Sequence, residues 1–310
     1  SPSIVAIDRT TRRIIAVGRE ARLMQGKTHP NITTVRPLKD GVIADFDASE
    51  QMIGMLIKSI PALRKRFFSP SLRMVVCIPS GITEVETRAV RESCERVNGK
   101  DIYLVHEPMA AAIGIGLDIM QPKGNMIIDI GGGTTEVAVI SYGGIATKQS
   151  IRTAGDEFTN DIMKYMRQKH NVRIGERTAE QIKIRVGAAV KDLENPPEDF
   201  VVCGADQMDT LPRQIPVSSA EIAGCLDESI VKIEAAILKT LEETPPELYG
   251  DVMENGINLT GGGALLRGLD RRLTDRFGIQ FIVPEDPLHA VAKGTGVALK
   301  NLDTFNFLIR

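Results

Sequence analysis

Metal-binding and redox motifs are missing from this sequence. Its four cysteines, Cys77, Cys94, Cys203 and Cys225, lie far apart, no CxxC pair occurs, and the four histidines are equally scattered. That excludes zinc-type ligand spacing and a dithiol centre, and it suggests a reduced, intracellular protein. An excess of charge of one sign is missing too. Lysine and arginine number 38 against 40 for aspartate and glutamate, a balance of −2, so no general polyanion-binding surface is expected and nucleic acid is not favoured as a partner. No run of eighteen apolar residues and no signal-peptide pattern occurs, so neither a membrane-spanning helix nor export is predicted. What the chain does have is 310 residues, 43% of them hydrophobic, enough for a large core and two or more domains.

Periodicity gives a coarse order of elements. Ile4 to Val17 reads as two short strands, IVAI and RIIAV, joined across Asp8 to Arg12. The joining segment has no glycine, and Arg9 sits where backbone would have to approach an anion, so it is not a phosphate loop. Met52, Ile53, Leu56, Ile57 and Ile60 recur at helical spacing. Strand Met74–Ile78, a helix from Thr83 with Glu86 in capping-box position, strand Ile102–Val105 and a helix from Pro108 follow. This alternation predicts a mostly parallel sheet covered by helices. Further on, Thr178 to Gln181 has capping-box spacing, and residues 200–216 read as short strands of a peripheral insertion. Ser218 and Glu221 mark the start of a long helix that Pro245 and Pro246 end.

Three glycine clusters punctuate this pattern. In Asn125 to Ile140, NMIIDIGGGTTEVAVI, an apolar strand carries a lone charge, Asp129, into Gly131, Gly132 and Gly133, and a β-branched strand returns. A buried carboxylate needs a partner, and Mg²⁺ or its water shell is one. Consecutive glycines let successive N–H groups face one anion; a tight turn whose Asp caps its own backbone reads equally well at this point. Ile257 to Leu266, INLTGGGALL, repeats the theme, a strand entering three glycines with a helix leaving them. Lys293-Gly294-Thr295-Gly296 is expected to open the last helix. Taken singly, the second and third clusters also suit close packing. Two strand–GGG turns more than one hundred residues apart suggest two similar halves, each offering a backbone cradle to one polyphosphate.

With these segments in view, the chain resembles the actin, Hsp70 and sugar-kinase ATPase superfamily, and within it the bacterial MreB family. The match is carried by DIGGGTTEVAVI (Asp129–Ile140), EPMAAAIG (Glu107–Gly114), KDGVIAD (Lys39–Asp45) and LTGGGALL (Leu259–Leu266), and it extends from Pro2 almost to Leu299. The resemblance implies an α/β, actin-like (ribonuclease H-like) ATPase fold with two similar halves around a nucleotide cleft, each with a smaller inserted subdomain. Subdomain IA would take residues 1-9, 47-121 and 290-310 and be incomplete at its N-terminus. IB would take 10-46, IIA 122-156 and 226-289, and IIB 157-225.

The resemblance also implies roles. Asp129 would hold Mg²⁺ through its water shell, and Gly131, Gly132, Gly133 and Thr134 would donate to the β- and γ-phosphates of ATP. Glu107 would position the attacking water, although an acid before Pro108 is also an ordinary helix start. Glu180 and Lys183, on one helical face, would meet ribose and adenine; without the resemblance they are a surface ion pair. Gly261, Gly262, Gly263, Ala264 and Leu265 would close the site around the α-phosphate and nucleoside. Phe67 and Phe68 beside Arg64-Lys65-Arg66 would lie on an anionic bilayer, the bland alternative being that both rings cover the helix Ala48 to Ile60. The expected protein is a cytoplasmic, ATP-binding filament subunit on the inner face of the membrane. It would organise cell-wall synthesis and rod shape, with further copies of itself and membrane proteins such as MreC, MreD and RodZ as partners. A small-molecule kinase or phosphohydrolase of the same superfamily is the alternative, but no Asp base for an acceptor pocket stands out. An Hsp70-like chaperone would need an added peptide-binding domain. The family's DxGTxxT-type phosphate loop is expected just upstream of Ser1. The resemblance therefore implies weak Mg-ATP binding at best from residues 1–310, and calorimetric titration checks this: micromolar affinity would overturn it.

Overall fold

The computed structural model describes residues 2–39, 41–61 and 71–310. Phe67 and Phe68, with the cations before them, lie outside the described residues. The chain divides into two compact units, one of Ser1–Ile78, Ile82–Val105 and Leu308–Arg310, the other of Pro79–Gly81 and His106–Phe307.

In the first unit the predicted hairpin forms from Val5–Asp8 and Arg13–Val17. Val5–Asp8 is central in an antiparallel sheet, with Ile32–Val35 on its other side. One face of this sheet packs Ala6 and Ala16 against Ala21 and Met24 of the helix Arg19–Met24. The other face packs Val5, Ile14 and Val35 against Ala48, Met52 and Leu56 of the helix Phe46–Ser59. Asp45 starts that second helix by accepting a hydrogen bond from Ala48 N at 3.0 Å. Strands Leu72–Ile78 and Gly99–His106 pair, and the helix Glu84–Arg96 between them carries the Thr83/Glu86 capping box its sequence predicts.

The second unit is built on a five-stranded sheet in the order Gly144–Ile151, Thr135–Ser141, Asn125–Ile130, Ile257–Thr260, Phe281–Ile282. Its pairings are of both kinds, parallel and antiparallel. Asn125–Ile130 pairs antiparallel with the strand that returns from its glycine turn and parallel with Ile257–Thr260. A short turn can only reverse the chain, so the hairpin forces the first pairing, while the second needs a long crossover. Met126, Ile128, Val137 and Val139 are fully buried, and Phe158, Ile162, Ile230 and Ile237 from the helices Gly155–Lys169 and Ser219–Glu243 join them in one core.

Local signals failed at three helices for identifiable reasons. The helix Glu176–Val186 starts two residues before Thr178, with Gly175 as N-cap and no side-chain cap. Ser218 does cap its helix by accepting from Glu221 N. The Glu221 carboxylate, however, accepts from Tyr165 Oη at 2.8 Å and meets His170 Nε2 at 2.5 Å instead of folding back on the cap. Gly294 and Gly296 lie inside the helix Ala290–Lys300 rather than opening it. A Cβ on Gly294 would overlap the carbonyl of Ala110, and one on Gly114 would overlap that of Ala290. These glycines let the helices Glu107–Gly114 and Ala290–Lys300 touch backbone to backbone. Gly294→Val is therefore expected to destabilise the protein by about 3 kcal/mol or more, measured by chemical denaturation, whereas Gly250→Ala, with open space around it, should change stability little.

Candidate functional site

Asp129 sits one residue before the end of its strand, 5% exposed. Its neighbour across the parallel pairing is Thr260, the last residue of the other glycine-turn strand. Thr260 Oγ1 donates to Asp129 Oδ1 at 2.9 Å. The two turns therefore leave the sheet side by side. Gly261 has φ +81, and a Cβ there would collide with Ile130 O and approach Asp129 Oδ1 to 2.9 Å. Only glycine allows the turns to stack this closely.

The first turn closes on itself, Gly131 N donating to Thr134 O at 2.9 Å. The N–H groups of Gly132, Gly133 and Thr134 have no acceptor among the described residues. Three orphan donors in succession form an anion-binding concavity. The carbonyls point the other way and are held: Gly131 O accepts from Gly155 N at 3.2 Å and Gly132 O from Asp156 N at 2.7 Å. The second turn is anchored through Gly261 N to Pro287 O at 2.9 Å. Gly262–Leu265 forms a 3-10 turn, and the α-helix starts only at Leu269. The helix expected to leave these glycines is thus a single 3-10 turn.

Glu180 and Lys183 are brought to the same place. Lys183 Nζ lies 2.6 Å from Glu180 Oε2 and donates to Gly155 O at 2.7 Å and Thr159 Oγ1 at 3.0 Å. Gly155 is the residue that braces the first turn. The far end of the same helix is tied to the second turn, with Ala189 N donating to Arg267 O at 2.8 Å and Arg267 Nη1 donating to Gly187 O at 3.3 Å. The pair is therefore part of the scaffold joining both glycine turns as well as an ion pair.

Glu107 opens its helix with Pro108 behind it. Burial, then the charges of Asp129 and Glu136, push its carboxyl up to about 8. Asp129 is raised to about 6 by burial and by Glu136, with the Thr260 hydroxyl opposing. Glu136 pairs with Asp129 across the hairpin and is fully buried. It accepts from Ser80 N at 2.9 Å, from Ser150 Oγ at 2.6 Å and from Ser80 Oγ. Sequence reasoning left Glu136 and Thr260 without a role. The available signal was a pair of polar residues at the turn ends of otherwise apolar strands.

Three acidic side chains thus share a buried site, and a divalent cation would relieve their repulsion. Among the described residues no group of three or more side chains is placed to hold a metal by itself.

A family model described as MreB/Mbl protein matches residues 1–306. The cell shape-determining protein Mbl of Bacillus subtilis (strain 168) is 47% identical over 302 residues, covering 97% of this chain and 89% of the relative. The cell shape-determining protein MreB of Escherichia coli (strain K12) is 45% identical over 306 residues, covering 97% and 87%. Among solved structures, MreB 5 of Spiroplasma citri bound to AMPPNP superposes with a TM-score of 0.91 at 38% identity, covering 97% of this chain and 89% of that one. The MamK double helical filament, at 17% identity and a TM-score of 0.78 over 97% and 91% of the two chains, shares the fold.

A raised carboxyl means that the folded chain holds its proton more tightly than the unfolded chain does. The contribution of these two groups to stability is then greatest at low pH and falls as pH rises from the ordinary carboxylate range through about 6 and about 8. Glu107→Gln removes the larger part of this penalty. Above pH 8 without nucleotide it is expected to melt higher than the parent protein, by about 2 °C or more; scanning calorimetry across pH checks this.

Proposed function

The chain belongs to the MreB/Mbl family, and from that premise we propose that it is an actin-like filament subunit that binds Mg-ATP between its two glycine turns. The observation that carries this reading is the set of open N–H groups at Gly132, Gly133 and Thr134 beside the second turn and the buried Asp129. Support comes also from neighbours crystallised with AMPPNP and with ADP. In this reading Gly132 to Thr134 donate to the terminal phosphates, with Gly131 closing the turn. Gly261, Gly262, Gly263, Ala264 and Leu265 face the α-phosphate and nucleoside, and Glu180 and Lys183 face ribose and adenine. Asp129 would hold Mg²⁺ through water, and the metal's charge would neutralise the phosphates. Glu107 would position the water that attacks the terminal phosphate.

Support for the wider role comes from the relatives, which are named cell shape-determining proteins. We place the filaments on the inner face of the cytoplasmic membrane, where they organise wall synthesis with membrane proteins of the MreC, MreD and RodZ type. No helix among the described residues is long and apolar enough to cross a membrane, so attachment is assigned to the surface of the protein.

Electron microscopy with and without ATP at about millimolar concentration, which suits weak binding, tests the reading: ATP-dependent filaments are expected, and a small-molecule kinase would give none. Glu107→Gln is expected to keep ATP-dependent filaments while phosphate release falls about a hundredfold. Unchanged phosphate release would remove Glu107 from its role.

A further inference from the structure

The overall balance of −2 conceals a strong local excess. Residues 2–39 carry eight lysines and arginines against two acids, Asp8 and Glu20. The fold gathers several of these cations at one end of the first unit's three-stranded sheet. Arg9, Arg12 and Arg13 occupy the hairpin tip, where Arg13 is the register partner of Asp8. The other strand beside Asp8 begins at Ile32, and Arg9 N donates to Asn31 O at 2.8 Å. The loop that carries Lys27 and His29 therefore reaches the same end. All five of these residues are exposed.

Among the described residues no acid is ion-paired with the four arginines and lysines of this cluster, Arg9, Arg12, Arg13 and Lys27. Asp8, the acid at the tip, accepts from Thr10 N at 2.7 Å and Thr11 N at 3.3 Å, which fastens it into the turn. Exposed aliphatic side chains accompany the cations. Ile15, two residues along the strand from Arg13, is 43% exposed, and Leu23, near the end of the helix that leads into the Lys27 loop, is 63% exposed.

We propose that this hairpin end is a docking surface for the anionic headgroups of a lipid bilayer. Cations interleaved with exposed aliphatic groups suit a headgroup layer, since each arginine or lysine meets the negative surface while Ile15 and Leu23 reach the acyl boundary. A nucleic acid is the weaker match because residues 2–39 contain no Phe, Tyr or Trp on which bases could stack. The proposal rests on the membrane association put forward above. It adds a surface that is distant in sequence from Phe67 and Phe68 and independent of them.

Vesicle co-sedimentation of the whole chain tests it, with phosphatidylglycerol-containing vesicles against pure phosphatidylcholine. The triple variant Arg9→Ser, Arg12→Asn, Arg13→Thr is compared with Lys169→Ser, Lys232→Ser, Lys239→Ser, which makes the same change in net charge elsewhere. Asn at position 12 is chosen because Arg12 has φ 55, a conformation Asn tolerates. The expected result is binding to the anionic vesicles only, weakened at least about tenfold by the hairpin variant, unaffected by the control variant and reduced by salt. Equal binding of the hairpin variant, or an equal loss in the control, overturns the proposal. Absence of binding by the parent protein overturns the membrane reading itself. Tighter binding to a single-stranded oligonucleotide than to anionic vesicles at the same salt overturns the choice of ligand. Should the triple variant melt early, Arg9→Ser with Arg13→Thr carries the same expectation with a smaller loss.

Discussion

The hydrogen bond from Thr260 to Asp129 is the contact on which the site depends. It joins the last residue of one glycine-turn strand to the carboxylate at the end of the other, across a parallel pairing of segments 131 residues apart. A carboxylate this deeply buried would be costly alone. The hydroxyl meets part of that cost, and Glu136 nearby adds to it. The cost is tolerated in a place where a cation and a phosphate chain would lower it, as expected of a functional rather than a structural charge. Glycine at positions 261 and 263 is required by the same geometry, because side chains there would drive into Ile130.

Around this contact the second unit is organised as a brace. Gly155 and Asp156 hold the carbonyl side of the first turn, which leaves its N–H side open. Lys183 reaches from a second helix to Gly155, and Arg267 links that helix to the second turn. The turns that carry the donors are thus held from several sides by the surrounding helices. Preorganised donors stabilise charge more effectively than mobile ones.

How much of this was legible in the sequence depended on the range of the interactions. Asp129 stood out as the lone charge in an apolar run, and the glycine turns stood out because only glycine permits such backbone approach. Glu136 did not, since its burial is matched by Ser80, 56 residues earlier, and no local pattern encodes that meeting. Glu221 looked like half of a capping box, yet Tyr165 and His170 claimed its carboxylate. The glycines at 294 and 296 resembled a third phosphate turn, but Gly294 lies where two helices cross backbone to backbone, and a Cβ on Gly296 would meet nothing. Composition misled once more at the surface: a near-neutral total hid the cationic hairpin end, which only the sheet register brings together.

The central claim is that the two turns act as one cradle. Backbone amide resonances of Gly132, Gly133 and Thr134, followed together with those of Gly262 and Gly263 during titration with Mg-AMPPNP, test it most directly. Both sets are expected to shift with the same apparent affinity, and Asp129→Asn is expected to weaken both together. A response confined to one turn, or none in either, would contradict it.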